Sequence, residues 1–330
     1  MNQIITQSSD SGNKLNDRKA LHIGLICIVV ATFMFSSMEV AIKLTSGSFN
    51  PIQLNLLRFF AGGIILLPFA RRKLQHTQHH LDRRDLRDFA LMGLACTVVS
   101  MSLYTVSLLY IPAYQDAILF SCNTFFGILL SHVFLRESLS PFGMTGLFIA
   151  LAGMMIIINP LHFTGSALGV ILVLAAAFTF AVYSVFSKFL TSGRPTGGLV
   201  ITCGTFFLGC AELLIWIAIS YVPAVSSLLT RHGLEVLADI PVWTGINSST
   251  LLLLAYIAVC VTGIGFATYF TAIEMLGVST TTLVFFIKPV VSPIFAFFVL
   301  GEVISTSNII GLAVIALGST ILFFSNMMRR

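Results

Sequence analysis

Long apolar blocks alternate with short polar breaks along the whole chain. Ten blocks stand out: 21–44, 51–70, 89–109, 113–135, 141–159, 166–190, 197–220, 249–272, 279–300 and 306–326. Within each, apolar residues run continuously rather than alternating with period two, so the pattern predicts helices and rejects the strands of a membrane barrel. Prolines sit at or beside the breaks, at Pro51, Pro112, Pro141, Pro160 and Pro195, where a missing N–H costs a helix little. Blocks of about 20 residues match a hydrocarbon core roughly 30 Å thick, inside which a backbone must satisfy its own hydrogen bonds.

Composition agrees with a lipid solvent. Of 330 residues, 57% are hydrophobic and 9% charged, against about 25% charged in soluble domains, so a water-facing surface could not be covered. The net charge of +5 requires no nucleic acid, because the basic residues gather at block ends, where they orient a membrane protein. Cys27, Cys96, Cys122, Cys203, Cys210 and Cys260 all lie within blocks without a Cys-x-x-Cys pair. They read as small packing residues and not as a disulfide or zinc framework.

Orientation follows from the same charges. With the N-terminus cytoplasmic, 14 of the 18 Lys and Arg fall on the inner side; Arg231 and Lys43 lie outside, and Arg58 and Lys288 within spans. Both termini are therefore expected in the cytoplasm of a multi-pass protein of the cell membrane. Residues 1–20 are expected to be a cytoplasmic tail rather than a signal peptide. The longest outer loop, 221–248, mixes Leu228, Leu229, Leu234, Val236, Leu237 and Trp243 with polar residues, and is expected to lie along the interface as a short amphipathic helix.

The chain also repeats itself. A shift of 165 residues aligns Tyr104 with Tyr269, Phe120 with Phe285, Glu137 with Glu302, Gly146 with Gly311 and Gly153 with Gly318. Toward the N-terminus the shift is 145, matching Gly24 with Gly169, Phe35 with Phe180 and Lys43 with Lys188. Five spans per half is an odd number, so the halves insert in opposite directions. The expected fold is an all-α integral membrane protein of ten transmembrane helices in two inverted five-helix repeats, 21–159 and 166–326. Such repeats are a recurrent construction of secondary transporters, with the substrate site near the midplane between them.

Leu57-Arg58-Phe59 in the second span, Glu137 and Glu302 at helix ends with their downstream glycines, and Pro289 with Pro293 in the ninth give the chain a resemblance to the drug/metabolite transporter superfamily, in particular its EamA-type families, over residues 20 to 326. The resemblance implies an exporter of amino acids, related metabolites or drug-like amines that works by alternating access around a central cavity. One departure stands out. Where the ninth span has Lys288-Pro289, the fourth has Asn123-Thr124, so the fourth span is expected to be straighter than its counterpart.

Ionisable groups within spans are costly, about 2.5 to 3.5 kcal/mol at the centre on insertion scales, and so draw functional suspicion. Lys288 lies deep in its span and should face a cavity or a carboxylate, either to bind substrate or to hold a structural ion pair. Pro289 and Pro293 free backbone carbonyls beside it and mark a candidate gate or helix break. Glu39 and Arg58 are expected at similar depth and to pair with each other, helped by Lys43 four residues on; Glu39 and Glu212 are candidate proton carriers. Polar residues recurring at helical spacing mark candidate cavity faces: Thr97, Ser100, Tyr104 and Ser107; Asp116, Asn123, Gly127 and Ser131; Thr179, Tyr183 and Ser187; Thr262 and Tyr269; Thr281, Lys288 and Ser292. Helix–helix hydrogen bonding is the competing reading of each stripe.

Candidate substrate-binding residues are thus Lys288, Glu39, Tyr104, Tyr269, Asn123, Tyr183 and Arg58. No Gly-rich nucleotide loop appears, no catalytic or metal-ligand constellation stands out, and His76, His79 and His80 read as a solvated loop. No cofactor, metal or nucleic acid is expected. The partners expected are a small-molecule substrate, the lipid bilayer and protons as a candidate coupling ion. Multidrug or cationic-amine efflux is the alternative within transport, and a membrane-embedded lipid-modifying enzyme the alternative outside it.

Overall fold

A computed structural model describes residues 20–45, 47–78, 80–134, 141–158, 166–191, 197–276, 281 and 283–327. Eleven helices follow one another among them. They are α1 (Ala20–Leu44), α2 (Pro51–Thr77), α3 (Arg83–Ser107), α4 (Ala113–Phe134), α5 (Pro141–Ile158), α6 (Ala167–Thr191), α7 (Gly197–Ser220) and α8 (Pro223–Arg231). Then come α9 (Ser248–Ala255, Tyr256–Ile264 and Gly265–Leu276), α10 (Leu283–Phe295 with Ala296–Leu300) and α11 (Thr306–Met327). Seven of these are long and apolar enough to cross a membrane, and shorter apolar stretches occur in α5, α10 and α11. Glu137, His79, the tail before Ala20 and the start of the ninth apolar block lie outside the described residues.

Polarity is distributed as a lipid solvent demands. Val303, Leu252 and Phe298 are more than three-quarters exposed, whereas Glu39, Arg58, Asp116 and Lys288 are buried. In water such an apolar outer surface would aggregate; in hydrocarbon it is the cheap side. The chain is a multi-pass membrane protein.

Helix ends differ from expectation where polar residues cap them. α2 runs to Thr77 instead of 70, carrying Arg71, Arg72 and Lys73 past the apolar block, and begins at a capping box in which the Asn50 side chain accepts from Ile52 N–H. α3 begins at Arg83 instead of 89, because Asp82 and Asp85 cap each other's backbone N–H groups; such caps satisfy otherwise orphaned donors. Among the described residues the fourth span is not the straighter of the pair, contrary to expectation. α4 is interrupted by a turn at Ser121–Cys122, where Ser121 Oγ donates to the Ala117 carbonyl and Asn123 Nδ2 to the Phe120 carbonyl at 2.8 Å. Side-chain bonds to backbone oxygens compete with the helical ladder and can break it without proline. α10, in contrast, stays helical through Pro289 and Pro293, and its irregular segment is the π-helical turn Ala296–Leu300 beyond them. Further π-helical segments occupy Leu94–Ser100 of α3 and Tyr256–Ile264 of α9, at positions that nearly coincide under the 165-residue shift.

α5 and α11 form the most intimate helix pair. A Cβ on Gly153 would stand 2.7 Å from the Gly311 carbonyl oxygen, and one on Gly318 2.6 Å from that of Gly146. The first contact becomes the second under the repeat shift. Backbones this close leave no room for side chains, the usual role of small residues between membrane helices.

The 221–247 segment packs against the start of α2. The expected amphipathic helix is α8, with no buried residue, but it covers only part of the loop. The remainder is tied to α2: Asn50 Nδ2 donates to the Val236 carbonyl at 2.8 Å, and Gln53 Nε2 to those of Val242 and Thr244 at 2.9 and 2.7 Å.

Candidate functional site

Three helices bring the central ionic group together. In α1 the segment after a turn at Ser37 buries Met38 and Glu39; α3 contributes Tyr104; α10 contributes Lys288 and Ser292, four residues apart and so on one face. Lys288 Nζ lies 2.6 Å from Glu39 Oε1, the Tyr104 hydroxyl donates to the same oxygen, and Ser292 Oγ donates to Oε2 at 3.3 Å. All four side chains are at most 2% exposed. The Lys288 ammonium also sits over the rings of Phe120 and Tyr104, at 5.3 and 5.8 Å from their centroids. Charges removed from water persist only when paired and hydrogen-bonded, and this carboxylate has three donors.

The expected pairing of Glu39 with Arg58 does not occur, because Lys288 occupies the carboxylate. Arg58 is 1% exposed; its Nε donates to Asn55 Oδ1 at 2.9 Å, its Nη1 lies 3.3 Å from Met38 Sδ, and its Nη2 has no hydrogen-bond partner among the described residues. Lys43 does not assist Glu39 either. Its ammonium donates to the carbonyls of Leu108 and Ile111, at the C-terminal end of α3, where a cation is favourable. Across the same turn Glu302 accepts from the N–H groups of Ala113 and Tyr114 at 2.9 and 3.1 Å, capping α4.

The other sequence-derived residues surround this group without joining it. Tyr183 is buried, with its hydroxyl 3.3 Å from Thr202 Oγ1. Asn123 is spent on the α4 break. Tyr269 packs against the rings of Phe35, Phe270 and Phe285. Asp116 takes a hydrogen bond from Ser107, and its Oδ2 has no partner. Glu212 is half-buried in α7, with Oε2 also unpartnered.

The aromatic rings form two related sets. Tyr104 lies 4.5 Å from Phe120, and Phe120 5.4 Å from Phe180. Their repeat counterparts, Tyr269, Phe285 and Phe35, make the same contacts at 5.5 and 6.3 Å. In each set one ring comes from the opposite half of the chain. The sets differ in access: Tyr104, Phe120 and Phe180 are buried, whereas Tyr269 and Phe285 are half-exposed. Sequence reasoning passed over the site role of Asn55, Met38, Phe35 and Phe120. The aligned phenylalanines were already visible in the repeat, and Asn55 stands three residues before Arg58, within reach on one helix face; Met38 carried no signal.

The model of the EamA-like transporter family matches residues 22–159 and again 167–324. An uncharacterized transporter of Clostridium kluyveri is 29% identical over 311 residues, covering 92% of this chain and 94% of its own. A protein of Streptantibioticus cattleyicolor named "Probable terminal-alkyne amino-acid exporter" is 30% identical over 228 residues, covering 67% of this chain and 68% of its own. A solved crystal structure with 20% sequence identity superposes with a TM-score of 0.59, covering 92% of this chain and 97% of the other, which bears on fold alone. The family match spans nearly the whole chain in two successive copies, and the chain belongs to the EamA-like transporter family.

Proposed function

We propose that this chain is a secondary active exporter of a small amino-acid-like or other polar metabolite, working by alternating access between two inverted five-helix repeats. Ten spans are counted by adding α5, α10 and α11 to the seven longer helices; the 22 residues of α11 rise about 33 Å. Inversion is supported by contacts that map onto themselves under the repeat shift: Gly153–Gly311 onto Gly318–Gly146, and Phe120–Phe180 onto Phe285–Phe35. The charge asymmetry favours cytoplasmic termini, which puts the 221–247 segment and Glu302 on the exterior.

The observation that carries this reading is the buried Glu39–Lys288–Tyr104 group, which ties the first repeat to the second in the outer half of the bundle. With the outer aromatic set buried, and Tyr269 and Phe285 of the inner set half-exposed beside a buried Phe35, it acts as an outer lock in an inward-facing carrier. Protonation of Glu39, or arrival of a substrate ammonium, dissolves the pair and lets the outer side part. Lys288 and the flanking rings of Tyr104, Phe120 and Tyr183 then meet the substrate. The amino-acid exporter among the relatives supports this substrate class, whereas the aromatic sets would also suit cationic amines.

The test is transport by purified protein in liposomes loaded with amino acids and hydrophobic amines. Release of an amino acid driven by a pH gradient, and lost when the gradient is collapsed, is expected. Release unaffected by collapse would reject proton coupling, and release of amines alone would transfer the reading to multidrug efflux.

A further inference from the structure

Arg58 is a buried cation without a counter-ion. Among the described residues no carboxylate lies within salt-bridge distance of it, and the nearest compensation is the face of Phe59, 4.5 Å from the guanidinium carbon. A cation–π contact offsets part of a desolvation cost, but a buried charged group left with an unmet donor still carries a penalty. The guanidinium is nevertheless held in one orientation. Asn55 Oδ1 accepts from Arg58 Nε and also from Thr105 Oγ1, at 2.9 and 3.0 Å, which fixes the amide and pins one edge of the fork. Among the described residues, the hydrogen-bond partner of the opposite edge, Nη1 and Nη2, is the Met38 thioether alone, a weak acceptor.

We propose that the Nη1–Nη2 edge of Arg58 is the carboxylate subsite of the transported molecule. This rests on the transport reading above and narrows its substrate class to carboxylates, with α-amino acids fitting best. A planar carboxylate matches a guanidinium edge through two parallel charge-assisted hydrogen bonds, which an ammonium cannot reproduce. Met38 Sδ holds the place of one carboxylate oxygen and is flexible enough to withdraw. Glu39 is near enough to act electrostatically on Arg58, so a substrate seated on Arg58 carries its amino group toward the carboxylate that Lys288 now occupies. Arg58 takes the acid end and Glu39 the amine end, and the binding of one molecule both fills the orphan donor and competes for the lock.

The test is thermal unfolding of the full chain in detergent, as wild type, Arg58→Lys and Arg58→Met. The probes are the proteinogenic amino acids, their decarboxylated amines and their carboxamides, at constant ionic strength. At least one amino acid is expected to raise the wild-type Tm while its amine and amide do not. Its apparent affinity should fall about 100-fold or more in Arg58→Met, with two charge-assisted hydrogen bonds lost, and about tenfold in Arg58→Lys. Without ligand, Arg58→Met should melt at or above the wild-type temperature, because an uncompensated charge has been replaced by a packed apolar chain. Amines that protect as well as amino acids, undiminished protection in Arg58→Met, or a ligand-free Tm well below wild type would each overturn the assignment. So would the absence of protection by any carboxylate in protein that still exports from liposomes; protein that neither binds nor exports would instead reject the transport reading as well.

Discussion

At the residue scale the decisive quantity is how buried charges are matched. Lys288 and Glu39 compensate each other, so replacing one strands the other. Lys288→Met and Glu39→Gln, scored by thermal or denaturant unfolding, are each expected to cost stability. The cost should be about 3 to 5 kcal/mol where a charge is left unpaired. The double variant should recover most of that loss and still fail to transport. A double variant that exports normally would remove the pair from the mechanism. Tyr104→Phe deletes one donor to the carboxylate, a loss of about 1.5 to 3 kcal/mol, and should raise access to the outer half of the bundle in cysteine-labelling experiments. Lys288 was legible as a residue needing a carboxylate because it lies too deep to reach water. Which carboxylate it meets was not legible, since Glu39 belongs to a helix some 250 residues away in the chain and competes for Arg58 as well.

At the scale of elements, the turn between α3 and α4 and the α5–α11 pair make distinct predictions. Glu302 caps α4 while Lys43 donates to the Leu108 and Ile111 carbonyls just past the end of α3, so charges of matching sign flank the turn. Glu302→Ala should cost about 1 kcal/mol and loosen this turn, measured as faster amide exchange at Ala113 and Tyr114. Unchanged exchange at those two amides would show that the cap is idle. At Gly153 even a methyl group meets the Gly311 carbonyl at 2.7 Å. Gly153→Leu should therefore separate α5 from α11 and lower the unfolding temperature, whereas a lipid-facing change such as Phe148→Leu should not. The apolar blocks foretold where helices run because hydrocarbon enforces them. They did not foretell the α4 break, which comes from local side-chain hydrogen bonds of Ser121 and Asn123 and not from proline.

At the scale of the molecule, the repeat predicts a counterpart for the outer lock. Under the two shifts Glu39 aligns with Ser184 and Lys288 with Asn123, so on the proposed reading the positions equivalent to the lock carry no charge. Installing it with Ser184→Glu and Asn123→Lys should slow export several-fold, as measured by release from liposomes. An export rate equal to wild type would mean that these positions never approach each other. The sequence by itself determined the lipid solvent, the approximate helices, the duplicated halves and the short list of buried ionisable residues, because these follow from composition and spacing along one strand of chain. Only the tertiary structure decided that Lys288 rather than Arg58 holds Glu39, that Arg58 is left with an open edge, and that the two aromatic sets interleave across the halves. Those are contests between groups far apart in sequence, and a contest of that kind is resolved by distance and orientation in three dimensions.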